Sequence, residues 1–190
     1  ALVRDAPGLN IDPRNEASLV HRDPASTDGR GVIEPVRLWN TVSGSAAIVA
    51  DGVVTIPSYV DAAAPRALLT PGGPNGYSNE RSWYDVANAR TAIGLSQDGR
   101  RLTLFTVDAR NGSGGMRVRE VAEVLVRDYG VWHALNLDGG GSTSMAMADP
   151  ATGIPALVNT SSDRPEGRRV GSSLAVYARG RAASRGQPGR

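Results

Sequence analysis

Short apolar runs broken by turn residues, with a single segment of helical period, limit what this chain can fold into. Ala46-Ala47-Ile48-Val49-Ala50 is followed by Asp51-Gly52 and then by Val53-Val54-Thr55-Ile56. Asp-Gly supplies the positive φ angles of a two-residue turn, so this stretch predicts a hairpin. A second hairpin is predicted over 91–95 and 101–108, around Ser96-Gln97-Asp98-Gly99-Arg100. In its second arm Leu102, Leu104 and Thr106 share one face and Thr103, Phe105 and Val107 the other, which predicts a strand covered on both sides. The helical exception is Val118, Val121, Ala122, Leu125, Val126 and Tyr129, spaced by three and four, with Arg119, Glu120, Glu123 and Arg127 opposite. Gly130 stands where a C-terminal cap belongs, and 131–137 follows as a buried strand. With further strands predicted at 154–158 and 170–177, the pattern describes an α+β domain: a mixed, largely antiparallel β-sheet core with one principal helix.

The ends read differently. Residues 1–34 are rich in Pro, Asp, Arg and Asn and predict loops with at most one short edge element. Residues 180–190 carry Gly, Arg, Ser and Pro without periodicity and predict a frayed tail. The expected organisation is a loop-rich segment at 1–38, one domain at 39–178 and a disordered tail at 179–190. A length of 190 residues, 40% hydrophobic, suits a single core. Phe105 is the sole phenylalanine, so that core must be built from Val, Leu, Ile and Ala.

Charge excludes little by itself, since 21 basic against 19 acidic residues leave a formal +2. Every basic residue is Arg, which fits either compositional bias or anion recognition by planar guanidinium groups. There is no basic block interleaved with aromatics, so nucleic acid is not the expected partner. The lack of cysteine removes disulfides, thiolate metal sites and cysteine nucleophiles. No apolar run approaches the roughly 20 residues of a membrane span. The chain opens without Met or a signal-like segment, so a processed or excised piece is expected.

The chemistry centres on Asn136-Leu137-Asp138-Gly139-Gly140-Gly141-Ser142-Thr143-Ser144. A carboxylate at the end of an apolar strand, followed by glycines and hydroxyls, can present an acid beside an anion-binding backbone. Equally, Asp138 can cap a turn that the glycines merely permit. The stretch lacks the Gly-Lys-Ser/Thr ending of a P-loop, the Gly-x-Gly-x-x-Gly of a dinucleotide fold and the Gly-x-Ser-x-Gly of a nucleophile elbow. Asp108 ends the second hairpin and reads either as a second carboxylate or as a turn former. Arg90, Arg168 and Arg169 each precede a predicted strand, where a phosphate clamp and a solvated arginine look alike. His133 reads as a core histidine more readily than as a catalytic base, and two histidines, His21 and His133, make no metal motif. Asp138 with Asp108 could hold calcium, although no acidic loop spacing argues for it.

In order, Arg90-Thr91-Ala92-Ile93-Gly94, Thr106-Val107-Asp108, a Gly-Met start to the helix, Ala134-Leu135 running into the glycine motif, Asn159 and Arg169-Val170 resemble the phosphodiester glycosidase family. The resemblance runs from about Trp39 to Ala178. It implies hydrolysis of a sugar 1-phosphodiester at the sugar–oxygen bond, as when N-acetylglucosamine is removed from phosphate-linked mannose. Its implied catalytic residues are Asp138 and Asp108. Its implied substrate-binding residues are Arg90, Thr91, Asn136, Gly139, Gly140, Gly141, Ser142, Asn159 and Arg169. The implied partner is a sugar-phosphate glycan or conjugate of the cell envelope or extracellular space, with no cofactor required. Rival readings are a non-catalytic module for anionic glycans and a metal-dependent phosphoesterase. Family members usually carry, upstream, an Asn-Gly segment ending in aromatics. Asn75-Gly76-Tyr77 is the only echo of it here, so the domain is expected to be N-terminally incomplete.

Overall fold

The computed structural model describes residues 7–27, 31–56 and 86–177. The Asn75-Gly76-Tyr77 echo and the expected tail at 179–190 lie outside them. In chain order come β1 (Gly8–Ile11), β2 (Ala17–Val20), β3 (Asn40–Ser43), β4 (Ala46–Ala50) and β5 (Val53–Val54), then β6 (Arg90–Ser96) and β7 (Leu102–Val107). The helix α1 (Val118–Tyr129), β8 (Val131–Asn136), a 3-10 turn (Gly140–Ser142), β9 (Ala146–Ala148) and β10 (Pro155–Leu157) follow. Every strand pairing among the described residues is antiparallel, and the α+β class expected from the sequence is observed. No helix among them is long and apolar enough to cross a membrane.

The central sheet has the order β5-β4-β8-β6-β7. Both hairpins form where their turn residues predict them: Asp51 and Gly52 take φ of 51° and 74°, and Gly99 takes 68°. On one face of the sheet Ile48, Val49, Ala92, Val131 and Ala134 pack against Val118, Val121, Ala122 and Leu125 of α1. On the other face Ile93 and Leu135 meet Leu9 of β1, with Ile11, Leu19 and Val42 around them. Alternation along β6 and β8 therefore serves two cores, one under the helix and one under the small sheet β2-β1-β3. Helix α1 begins with a capping box, in which the Arg117 N–H donates to Glu120, and ends on Gly130 in the left-handed region. Leu125 is fully buried against the sheet. Leu125→Ala should lower stability by about 2–5 kcal/mol, read as a shift of the urea midpoint without change in slope.

Three expectations are corrected. Residues 8–20 form β1 and β2 and contribute Leu9 to the core, where loops were expected. Their hydrophobic runs are too short to register as strands alone; β1 becomes one by pairing with β2 and β3, and β2 by pairing with β1. Segment 170–177 forms no strand; Leu174 packs against the second core while Val170, Val176 and Tyr177 stay exposed. The second hairpin arm is not covered on both sides, because β7 is the sheet's edge and Leu104 is 41% exposed.

The connection that matters for the site is β7-α1-β8. Strands β7 and β8 both pair antiparallel to β6, one on each side, so they run in the same direction and α1 carries the chain over β6 between them. The C-terminal ends of β7 and β8 and the N-terminal end of β6 thus meet at one edge of the sheet.

Candidate functional site

At that edge Asp138 follows β8 and Asp108 follows β7, while Arg90 opens β6 opposite Val107. The backbone holds the motif close to β6. The Leu137 N–H donates to the Thr91 carbonyl at 2.9 Å and the Gly140 N–H to the Ala89 carbonyl at 2.8 Å. Between these anchors Asp138 is pushed into solvent. Its Oδ1 accepts from the Gly139 N–H at 3.0 Å, and among the described residues its Oδ2 accepts nothing. A Cβ on Gly139 would lie 2.7 Å from the Ala89 carbonyl oxygen, a backbone atom that cannot step aside, and Gly140 takes a φ of 57°. The glycines are thus required by the close approach of the motif to β6.

Asp108 is placed quite differently. Its Oδ1 accepts from Asn159 Nδ2 at 2.9 Å and its Oδ2 from the Thr160 N–H at 2.7 Å. Asn159 also donates to the Thr143 carbonyl at 3.1 Å and accepts from the Met145 N–H at 2.7 Å. Thr143 is fully buried and shares a hydrogen bond of 3.2 Å with the Thr91 hydroxyl. This network ties the end of β7, the loop after β10 and the chain leaving the glycine motif into one unit. Both oxygens of Asp108 are thus engaged by the loop that follows β10.

The remaining sequence candidates divide. Asn136 is buried, donating to Ser45 Oγ at 3.0 Å and to the Leu137 carbonyl at 2.6 Å, while its Oδ1 has no partner among the described residues. Arg90 is buried as well, and burial pushes its pKa below the ordinary arginine value. Its Nε donates to the Met116 carbonyl at 2.9 Å and its Nη2 to that of Val86. Ser142 receives two hydrogen bonds from Arg168, whereas Arg169 is exposed and makes no described contact. His21 pairs with Glu34 and His133 faces Asp51 at the β4–β5 turn, both apart from this edge. Among the described residues no three His, Cys, Asp or Glu side chains converge.

Sequence reasoning missed Ser161, which is buried and donates to the Gly141 carbonyl at 3.2 Å, and Arg110, which donates to the Ser161 carbonyl at 3.3 Å. Ser161 lies 20 residues from its partner and Arg110 lies 51 from its own. Nothing local in Asn159-Thr160-Ser161-Ser162-Asp163 distinguishes it from an ordinary polar loop.

A sequence model described as phosphodiester glycosidase matches residues 7–177. The N-acetylglucosamine-1-phosphodiester alpha-N-acetylglucosaminidase of Mus musculus is 38% identical over 74 residues, 39% of this chain and 14% of the mouse protein. The Homo sapiens protein of the same name matches at 38% over the same share. Among solved structures, the pro-peptide-inhibited catalytic domain of the zebrafish protein of that name superposes with a TM-score of 0.50 at 25% identity. That superposition covers 87% of this chain and 50% of the zebrafish chain. The chain therefore corresponds to only part of each of these relatives.

Proposed function

This chain belongs to the phosphodiester glycosidase family, and from that membership we propose that it hydrolyses a sugar 1-phosphodiester at the glycosidic C–O bond. Water adds to the anomeric carbon, the sugar leaves free, and the bridging oxygen departs with a phosphomonoester. The reading is supported above all by Asp138, a carboxylate held out at the sheet edge with one oxygen uncommitted among the described residues. A phosphate monoester is a good leaving group, so the reaction has little need of a strong general acid. It needs negative charge beside the anomeric carbon as oxocarbenium character develops. A single presented carboxylate meets that need, with Asp108 assigned to hold the surrounding loops. Asn136, Thr91 and Asn159 fix the motif from below, and the Gly139–Ser142 segment lies where the substrate would rest.

The names of the mouse, human and zebrafish relatives make N-acetylglucosamine the sugar to test first. In the same reading the natural substrate is a sugar-phosphate conjugate of the cell envelope or extracellular space. The test is incubation with an N-acetylglucosamine 1-phosphodiester in water enriched in oxygen-18, with and without chelator, followed by mass analysis. Label in the free sugar is the expected result. Label in phosphate would replace this mechanism with a phosphoesterase, and binding without product would favour a glycan-binding module.

A further inference from the structure

We infer that Arg168, seated on Ser142, is the contact through which this edge of the protein grips the phosphoryl group of its substrate. The inference rests on the glycosidase reading above. Both Nε and Nη2 of Arg168 converge on Ser142 Oγ, at 3.1 and 2.6 Å. Nε and Nη2 are the adjacent, parallel donor pair that a guanidinium offers to two oxygens of a phosphoryl or carboxylate group, and here both are turned toward the glycine motif. The oxygen here belongs to a neutral hydroxyl, and among the described residues no carboxylate lies within ion-pair distance of Arg168. Its guanidinium is therefore in no direct ion pair among those residues, and its side chain is exposed to an arriving ligand.

The placement is built into the loop. A Cβ on Gly141 would lie 3.4 Å from the Arg168 guanidinium carbon and 2.7 Å from Asp163 Cβ, so this glycine is what lets the 161–168 loop close over the motif. Ser161 fastens that loop to the Gly141 carbonyl, and Arg110 adds a second guanidinium on the Ser161 carbonyl. The acidic side chains of the same loop are Asp163 and Glu166, and the Asp163 carboxylate faces Arg164 at 4.0 Å. In a 1-phosphodiester the phosphorus is one oxygen away from the anomeric carbon, so the anion contact must adjoin the carboxylate. Ser142 follows Asp138 by four residues, and the last three of them form a 3-10 turn, which advances only about 2 Å per residue. Arg90 and Arg169 lack this arrangement: Arg90 donates to backbone carbonyls, and Arg169 is exposed with no hydrogen bond to the motif among the described residues.

The experiment compares the full chain with Arg168→Gln, Arg168→Lys and Arg164→Gln. Two constants are measured: KM for the N-acetylglucosamine 1-phosphodiester, and the dissociation constant of inorganic phosphate by calorimetry, which needs no turnover. Arg168→Gln is expected to raise both by about tenfold or more, with Arg168→Lys between it and the parent. Arg164→Gln, which removes the same charge from the same loop, should change neither by more than about twofold. If Arg168→Gln weakens phosphate no more than Arg164→Gln does, the assignment is overturned, whatever the activity. If the parent binds phosphate through Arg168 yet never cleaves the phosphodiester, the anion site stands and the glycosidase reading falls.

Discussion

Asp138→Asn should lower kcat for the phosphodiester by on the order of 10²–10⁴-fold while leaving the melting temperature nearly unchanged. The two halves of that expectation have separate origins. Asp138 is exposed, and its one described hydrogen bond is accepted by Oδ1 from the neighbouring Gly139 N–H. An asparagine carbonyl can accept the same bond, so the fold loses almost nothing. What disappears is the negative charge facing the anomeric carbon, where stabilisation is needed only as the transition state forms. KM should therefore move much less than kcat. Steady-state kinetics beside a thermal melt decides the point. Unchanged turnover would remove Asp138 from the mechanism, and a large drop in melting temperature would make it a structural cap.

Asp108→Ala should behave in the opposite way, lowering stability by roughly 2–3 kcal/mol and activity along with it. Its carboxylate accepts from Asn159 and from the Thr160 backbone, and Asn159 in turn holds Thr143 and Met145. Removing the acceptor leaves half-buried donors without partners and frees the loop that carries Ser161 and Arg168. For a chain of this size the loss corresponds to a fall in melting temperature of about 4–12 °C. Asp108→Asn should not rescue it fully, because its amide nitrogen would stand donor against donor at either Asn159 or Thr160. A double-mutant cycle with Asn159→Ala gives the sharper result. The paired loss should fall short of the sum of the single losses by about 1 kcal/mol or more, since the two residues share one network. Additive losses, or an unchanged melt with reduced kcat, would return Asp108 to the role of a reacting carboxylate.

The contrast between these carboxylates shows where a sequence stops being informative. Both follow an apolar strand and both precede glycine-containing turns, so their local signatures match. They differ in what arrives from elsewhere: Asn159 and Thr160, some 51 residues on, reach Asp108, and among the described residues only the adjacent Gly139 donates to Asp138. The same reason separates Arg168 from Arg169. Adjacent in sequence and identical in chemistry, they are told apart by which one the 161–168 loop sets against Ser142.

Local chemistry was enough for α1, for both hairpins and for the strand that delivers Asp138. A 3.6-residue apolar period, an Asp-Gly turn and a left-handed glycine cap are each complete within a few residues. The ordered motifs were also enough to point to the family. Tertiary structure decided the rest: the strand identity of residues 8–20, the failure of 170–177 to form a strand, and the different surroundings of Asp108 and Asp138. Those outcomes depend on partners brought from tens of residues away, and the free energy of such contacts exists only once the sheet edge has been assembled.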